Sequence, residues 1–232
     1  MRTPHSALML CALLLGLPTV CDASPTRGAF ISGKKSVQYE VHGEESKGTI
    51  LILLHGAGGP DVQFYRQQAE LFAAKGYTVL VPHYFDASGS SMPNDQNYVT
   101  WVQVVSDLIH ECEKSPKWSN RKIALLGFSL GASVALAAGS QQVSVGAIAD
   151  WYGSLPDEFL NKLKGMPPLL ILHGNRDEII PIINGQQLVR LCGIAKFACE
   201  SHFYADQGHG FNGKALEDAD NRTLDFFSRK LE

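Results

Sequence analysis

Apolar and polar positions follow two alternating patterns along this chain. Short, continuous apolar runs, such as TILILLHG, YTVLVPHY and KIALLG, are typical of strands that are buried on both faces. Between them, residues 61–76 and 97–114 carry apolar side chains at helical spacing. The alternation of strand-like and helix-like segments predicts an α/β fold, in which helices cover both faces of a mostly parallel sheet.

The predicted strands also locate the functional edge of the sheet. In open sheets of parallel strands, ligands bind outside the carboxyl ends of the strands. Functional side chains are therefore expected in the loops that follow residues 54, 82, 126, 149, 173 and 204.

The beginning of the chain has the pattern of a targeting segment. Arg2 precedes the apolar run ALMLCALLLGLPTV, which is too short to span a bilayer comfortably, and a small residue, Ala23, follows that run closely. This order predicts a signal peptide over residues 1–23 and a single secreted or periplasmic domain over residues 24–232, with no membrane span. An uncleaved anchor and a buried first helix are the alternatives.

Length and charge limit the classes of function. A chain of 232 residues suits one domain with a substantial core, and a net charge of −3 without a basic stripe argues against a nucleic-acid partner.

Beyond the predicted signal peptide, Cys192 and Cys199 could form a disulfide in an oxidising compartment. The alternative is that these two residues and Cys112 are buried thiols.

The segment GFSLG, residues 127–131, has the G-x-S-x-G pattern and lies between a predicted strand and a predicted helix. In a nucleophile elbow, glycines stand where a side chain would clash, and a strained turn holds the serine hydroxyl clear of the backbone. The positive end of the following helix favours negative charge there. We therefore predict that Ser129 is a nucleophile; the alternative is a serine that only caps the helix.

A serine nucleophile needs a base, and in this type of site the base follows it in the chain. Three histidines come after Ser129. His173 directly precedes an acidic loop, and His202 lies inside a predicted strand. His209 lies between two glycines in the loop after that strand, which would let its imidazole reach the serine. We predict that His209 is the base; the alternative is a solvated loop histidine.

The base needs an acid that holds its tautomer. Asp150 and Asp177 both follow predicted strands between the serine and the histidine, and neither can be eliminated from the sequence pattern.

An oxyanion hole needs two backbone donors as well. We predict the N–H groups of Leu130 and Ala57, with Gly58 as the alternative to Ala57, because the glycine-rich loop allows close approach. No metal or cofactor is implied.

Four motifs, LLHGAGGP, GFSLGASVAL, LHGNRDEIIP and GHGF, together resemble the α/β-hydrolase superfamily and, more closely, the dienelactone hydrolase family. The resemblance covers nearly all of the chain after the predicted signal peptide. It implies that Ser129, Asp177 and His209 are nucleophile, acid and base. Dienelactone hydrolase proper uses a cysteine nucleophile, so the serine in this chain favours a serine esterase.

Aromatic side chains near the strand ends are candidates for the substrate pocket, and the alternative is that they pack the loops. These candidates are Tyr84, Phe85, Trp151, Tyr152 and Phe211. The whole pattern predicts a hydrolase that cleaves a small carboxylic ester or lactone through an acyl-enzyme on Ser129. A peptidase or acyltransferase with the same residues, and a non-catalytic binding protein on this scaffold, are the alternatives. The pattern indicates no oligomeric state.

Overall fold

The computed structural model describes residues 24–45, 48–141 and 144–231. The predicted signal peptide over residues 1–23 lies outside the described residues. The strands are β1 (Thr26–Ser32), β2 (Lys35–His42), β3 (Ile50–Leu54), β4 (Thr78–Pro82), β5 (Ile123–Phe128), β6 (Ala147–Trp151), β7 (Leu169–Gly174) and β8 (Cys199–Tyr204). The α-helices are α1 (Gln63–Ala74), α2 (Phe85–Ser88), α3 (Asp95–Lys114), α4 (Leu130–Ser140), α5 (Ile183–Ala195) and α6 (Gly213–Lys230). A 3₁₀ helix covers Asp157–Lys162.

The eight strands form one sheet in the order β1-β2-β4-β3-β5-β6-β7-β8. From β4 to β8 all neighbours are parallel, whereas β1 and β2 form an antiparallel hairpin that joins the sheet through an antiparallel β2–β4 pairing. The predicted α/β fold with a mostly parallel sheet is therefore confirmed. Strand β1 was not predicted, because only two of its seven residues are buried and its apolar pattern is correspondingly weak.

Both faces of the sheet are covered by helices, and β3 shows why its sequence is continuously apolar. Ile50, Ile52 and Leu54 pack into the core on the side of α3, α4 and α5. Leu51 and Leu53 point to the opposite side and pack with α1 and α6. Because successive strand side chains alternate between faces, a strand between two helical layers needs apolar residues at every position.

A disulfide between Cys192 and Cys199 joins α5 to β8, which is the pairing that the sequence allowed. Cys112, on α3, is a buried free thiol, and burial raises its pKa to about 12. Within the described ranges, no helix has both the length and the apolar character that crossing a bilayer requires.

Candidate active site

Ser129 occupies the sharp turn between the end of β5 and the start of α4. Its backbone has φ 55° and ψ −120°, a conformation that is strained for any residue with a β-carbon. Neighbouring hydrogen bonds hold the turn: the Ser129 N–H donates to the Trp151 carbonyl at 3.0 Å, and the Ala132 N–H donates to the Ser129 carbonyl at 3.0 Å. The strain is therefore imposed by the strand and helix on either side.

The two glycines of the motif are required by packing. A β-carbon on Gly127 would overlap the backbone of Gly131 and Ala132, at the start of α4. A β-carbon on Gly131 would overlap the carbonyl oxygens of Leu54 and His55, at the end of β3. The glycines thus allow α4 to begin directly against β5 and β3, and this close approach exposes the Ser129 hydroxyl at the carboxyl edge of the sheet.

The hydroxyl of Ser129 is hydrogen-bonded to His209, which lies in the loop after β8. The distance from Ser129 Oγ to His209 Nε2 is 2.7 Å. Backbone hydrogen bonds from Asn175 to Tyr204 and from Arg176 to Gln207 fasten this loop to the loop after β7. Two neighbouring strand ends therefore set the position of the imidazole.

His209 is hydrogen-bonded in turn to Asp177. The distance from His209 Nδ1 to Asp177 Oδ2 is 2.8 Å, and the Asp177 side chain is fully buried. Its other oxygen, Oδ1, accepts hydrogen bonds from the N–H groups of Ile179 and Ile180 at 2.9 and 2.8 Å. Because a carboxylate can only accept, Nδ1 of His209 carries the proton, which leaves Nε2 free to accept the proton of Ser129.

The turn that contains Asp177 is supported by a second histidine, His173, which is buried. Nε2 of His173 lies 2.8 Å from the carbonyl oxygen of Ile180, so this nitrogen carries a proton and donates it. The same nitrogen lies 3.4 Å from Asp177 Oδ2. Burial lowers the pKa of His173, so its neutral form is favoured. His173 therefore fixes the turn without adding a competing positive charge next to the carboxylate.

Asp150, the other candidate acid, is placed differently. It is fully buried near the end of β6, and its Oδ1 accepts a hydrogen bond from the Gly153 N–H at 2.8 Å. Its Oδ2 has no hydrogen-bond partner among the described residues. Burial raises the pKa of this carboxyl to about 7. The structure thus brings Asp177, and not Asp150, to the imidazole of His209.

The glycine-rich loop after β3 lies against Ser129. A β-carbon on Gly56 would lie 3.3 Å from the β-carbon of Ser129, and both Ala57 and Gly58 line the cavity beside it. In the described part of the chain, the Ala57 N–H donates to no backbone carbonyl. Leu130 is the first residue of α4, so its N–H has no acceptor within the helix. Both predicted donors are therefore available to an external acceptor.

His55 and Tyr84 hold this loop from inside the protein. Nδ1 of His55 donates to the Gly56 carbonyl at 2.9 Å, and the Tyr84 hydroxyl donates to the His55 carbonyl at 2.7 Å. The two rings are stacked, with centroids 4.3 Å apart. Burial lowers the pKa of His55 to about 4, so the ring is neutral near pH 7. His55 is thus a support for the loop.

A cavity of about 450 Å³ opens beside Ser129 and His209, and it contains two of the five predicted pocket residues. Tyr152 and Phe211 line it, and the Tyr152 ring packs edge-on against the His209 ring at 5.0 Å. The prediction that Tyr84 and Trp151 line the pocket is wrong, because both side chains are completely buried. Trp151 instead points to α6, where its Nε1 donates to Thr223 Oγ1 at 3.0 Å.

The prediction for Phe85 is also wrong, because this ring packs edge-on against His55 at 4.8 Å and does not line the cavity. Four residues that sequence reasoning missed line it instead: Val62, Phe64, Tyr65 and Ile179. A signal was present for each. The first three follow the glycine-rich loop closely, at the start of α1, and Ile179 comes two residues after Asp177.

Chemically, the arrangement combines a hydroxyl, a base that can take its proton, a buried carboxylate that orients the base, and two free N–H groups. This is the set that nucleophilic attack on a carbonyl requires. No cluster of three or more histidine, cysteine, aspartate or glutamate side chains suited to a metal ion occurs in residues 24–45, 48–141 and 144–231.

Comparison with known proteins gives consistent results. The model of the dienelactone hydrolase family matches residues 38–231 of this chain. A carboxymethylenebutenolidase from Rhodococcus opacus is 26% identical over 216 residues, which cover 81% of this chain and 84% of the relative.

Two solved structures have the same fold. A dienelactone hydrolase from Anabaena variabilis superposes with a TM-score of 0.75 at 16% identity, covering 90% of this chain and 99% of the other. A dienelactone hydrolase-like promiscuous phosphotriesterase from metagenomic libraries superposes with a TM-score of 0.79 at 15% identity, with the same coverage. At such low identities, these similarities establish the fold alone.

Proposed function

The chain belongs to the dienelactone hydrolase family, and from this premise we propose that it is a serine hydrolase that cleaves a carboxylic ester or lactone through an acyl-enzyme on Ser129. The observation that carries the proposal is the continuous series of hydrogen bonds from Ser129 through His209 to Asp177, at 2.7 and 2.8 Å. The carboxymethylenebutenolidase relative, whose name denotes cleavage of a lactone, supports the choice of bond.

In the first half of the proposed reaction, Ser129 Oγ attacks the substrate carbonyl carbon while its proton passes to Nε2 of His209. Asp177 stabilises the imidazolium that forms, without taking its proton. The carbonyl oxygen becomes an oxyanion and accepts hydrogen bonds from the N–H groups of Ala57 and Leu130. When the tetrahedral intermediate collapses, the bond to the leaving oxygen breaks, and His209 returns the proton to that oxygen.

In the second half, a water molecule attacks the acyl-enzyme on Ser129. His209 takes one proton from the water and later gives it to the departing Ser129 Oγ, so the product is a carboxylic acid and the enzyme returns to its starting state. For a lactone, the leaving alcohol and the acid are parts of one ring-opened product. No redox partner is needed, since both halves are acyl transfers.

The test is to trap the acyl-enzyme. We expect that mixing the protein with 4-nitrophenyl acetate and quenching in acid yields a protein heavier by one acetyl group, which peptide mapping assigns to Ser129. Ser129→Ala should lose the adduct and at least about 10³-fold in kcat/KM. Ser133→Ala, a matched change one turn along α4, should retain both. An adduct on another residue, or hydrolysis that survives Ser129→Ala, would contradict the proposal.

We also propose that the mature protein begins at Ser24 and acts in an oxidising compartment. The pattern of residues 1–23 supports this proposal. The disulfide between Cys192 and Cys199 supports it independently, since such bonds persist mainly outside the reducing cytosol. Expression of the full chain in a bacterium, followed by fractionation and N-terminal sequencing, should find the protein outside the cytoplasm with Ser24 first. A cytoplasmic protein that retains Met1 would contradict it.

A further inference from the structure

The cavity beside Ser129 is lined mainly by apolar side chains. Besides Ser129, His209 and small backbone positions, its lining consists of Val62, Phe64, Tyr65, Tyr152, Ile179 and Phe211. Polar groups on these six are limited to two phenol hydroxyls, and burial raises the pKa of both phenols, so they remain neutral near pH 7. A substrate in this cavity therefore meets uncharged surface everywhere except at the reacting bond.

No lysine or arginine among the described residues lines this cavity. The cations that lie nearest to the lining residues along the chain are Arg66, Arg176 and Lys214. Arg176, in the same loop as Asp177, is paired with Asp206 at 3.1 Å, and its side chain is 70% exposed. A substrate carboxylate inside the cavity would therefore lose water without meeting a positively charged lining side chain, which is costly.

Charges of both signs lie beside the lining residues in the chain. Asp61 and Glu178 are exposed acidic residues that directly precede Val62 and Ile179, and Arg66 and Lys214 are exposed basic residues that follow Tyr65 and Phe211. The whole chain also has a formal net charge of −3. This net negative charge opposes the approach of an anionic substrate, and the effect adds to the cost of desolvating a carboxylate inside the cavity.

We propose that this site selects esters and lactones with uncharged, apolar groups on both sides of the scissile bond, and discriminates against substrates that carry a carboxylate. This inference rests on the proposed serine hydrolase function and names its substrate class. It separates this chain from the carboxymethylenebutenolidase to which it is related, because the name of that relative specifies a lactone with a carboxyl group. The cavity beside Ser129 thus belongs to an esterase for neutral substrates.

The test compares two esters of the same shape. The 4-nitrophenyl ester of 6-methylheptanoic acid and the 4-nitrophenyl monoester of adipic acid differ in that an isopropyl group in the first is a carboxylate in the second. With both rates corrected for hydrolysis by hydroxide, we expect the neutral ester to have a kcat/KM about 100-fold higher. Equal corrected values of kcat/KM would overturn the inference while leaving the proposed function intact.

A charge introduced at Ile179 makes the test specific for the cavity. Ile179 is 71% exposed, and its hydrogen bond to Asp177 comes from the backbone N–H, so substitution of the side chain leaves that bond in place. Ile179→Lys should narrow the ratio between the two esters by about tenfold, whereas Ile179→Met, uncharged and of comparable reach, should not. An unchanged ratio in Ile179→Lys would overturn the inference. If neither ester were hydrolysed and no acyl group reached Ser129, the proposed function would fail and this inference with it.

Discussion

Asp150 and Asp177 lie near the carboxyl ends of two neighbouring parallel strands, and yet their surroundings give them opposite properties. Asp177 lies three residues beyond β7, in a turn where each carboxylate oxygen has a hydrogen-bond donor. Asp150 lies inside β6, one residue before its end, with one donor for one oxygen and no partner among the described residues for the other. Burial raises the pKa of Asp150 to about 7.

This comparison shows that the position of an aspartate relative to the end of its strand decides which groups its carboxylate can contact. A residue within the strand points into the layer between sheet and helix, where the Asp150 side chain meets Gly153 next to Ala132 of α4. A residue beyond the strand can turn back over the edge of the sheet, as Asp177 does toward His209. Asp150 therefore accepts a hydrogen bond from the backbone of its own loop, whereas Asp177 accepts one from the imidazole of His209.

The largest expected effect separates the two aspartates by activity. Asp177→Asn should lower kcat/KM by about 10³- to 10⁴-fold, because the amide presents N–H to Nδ1 of His209 and favours the tautomer whose Nε2 cannot accept the Ser129 proton. Asp150→Asn should stay within about threefold of the wild type, since its side chain does not contact the imidazole. Ester hydrolysis measured on both variants, with circular dichroism as the folding control, decides the point. A large loss in Asp150→Asn alone would reverse the assignment.

The next prediction concerns the pH dependence of folding stability, which we attribute to Asp150. A carboxyl whose pKa rises from 3.8 to about 7 on folding binds a proton more tightly in the folded state, so folding stability decreases as pH rises through this interval. Asp150→Asn is uncharged at every pH and retains an oxygen for the Gly153 N–H. It should therefore raise Tm relative to the wild type by on the order of 5 °C at pH 8, and by much less at pH 4.

Thermal unfolding at the two pH values measures this difference directly. Asp150→Ala is the matched control, because it removes the acceptor of the Gly153 N–H as well as the charge, and it should lower Tm at pH 4. If Asp150→Asn shifted Tm by the same amount at both pH values, the raised pKa of Asp150 would be refuted.

A smaller effect tests the support beneath Asp177. His173→Leu removes the donor to the Ile180 carbonyl, which loosens the turn that presents two N–H groups to Asp177 Oδ1. We expect kcat to fall roughly tenfold with little change in KM, because the imidazole of His209 is less well oriented while the cavity lining is unchanged. His173→Gln, whose amide can donate in the same place, should restore most of kcat. Equal losses in both variants would show that His173 acts only through packing.

Local patterns in the sequence were enough to predict the strands and loops that hold Ser129, Asp177 and His209. The glycines around Ser129 and His209, and the apolar runs of β3, β5 and β7, reflect constraints that act within a few residues. The choice between Asp150 and Asp177 was different, because the sequence pattern predicted that both follow strands at the same edge of the sheet. The family resemblance decided for Asp177. The sequence pattern could not, because the direction of each side chain depends on how far the residue lies beyond the end of its strand.

The substrate pocket could be predicted only in part, because it is built from loops that are distant in sequence. Tyr84 and Trp151 are aromatic residues near the correct strand ends, but both rings turn into the core. Tyr65 lines the cavity although it belongs to none of the four motifs, and Ile179 lines it from within the motif that carries Asp177. Whether a side chain faces a cavity or the core is decided by tertiary packing, which apolar character alone does not specify.

The central claim is that His209, held by Asp177, activates Ser129, and the rate of fluorophosphonate labelling tests it most directly. We predict one adduct, mapped to Ser129, that forms equally fast in the wild type and Asp150→Asn, at least about 100-fold more slowly in Asp177→Asn, and not at all in Ser129→Ala. A folded wild-type protein that remains unlabelled, or labelling that depends on Asp150 and not on Asp177, would contradict the account.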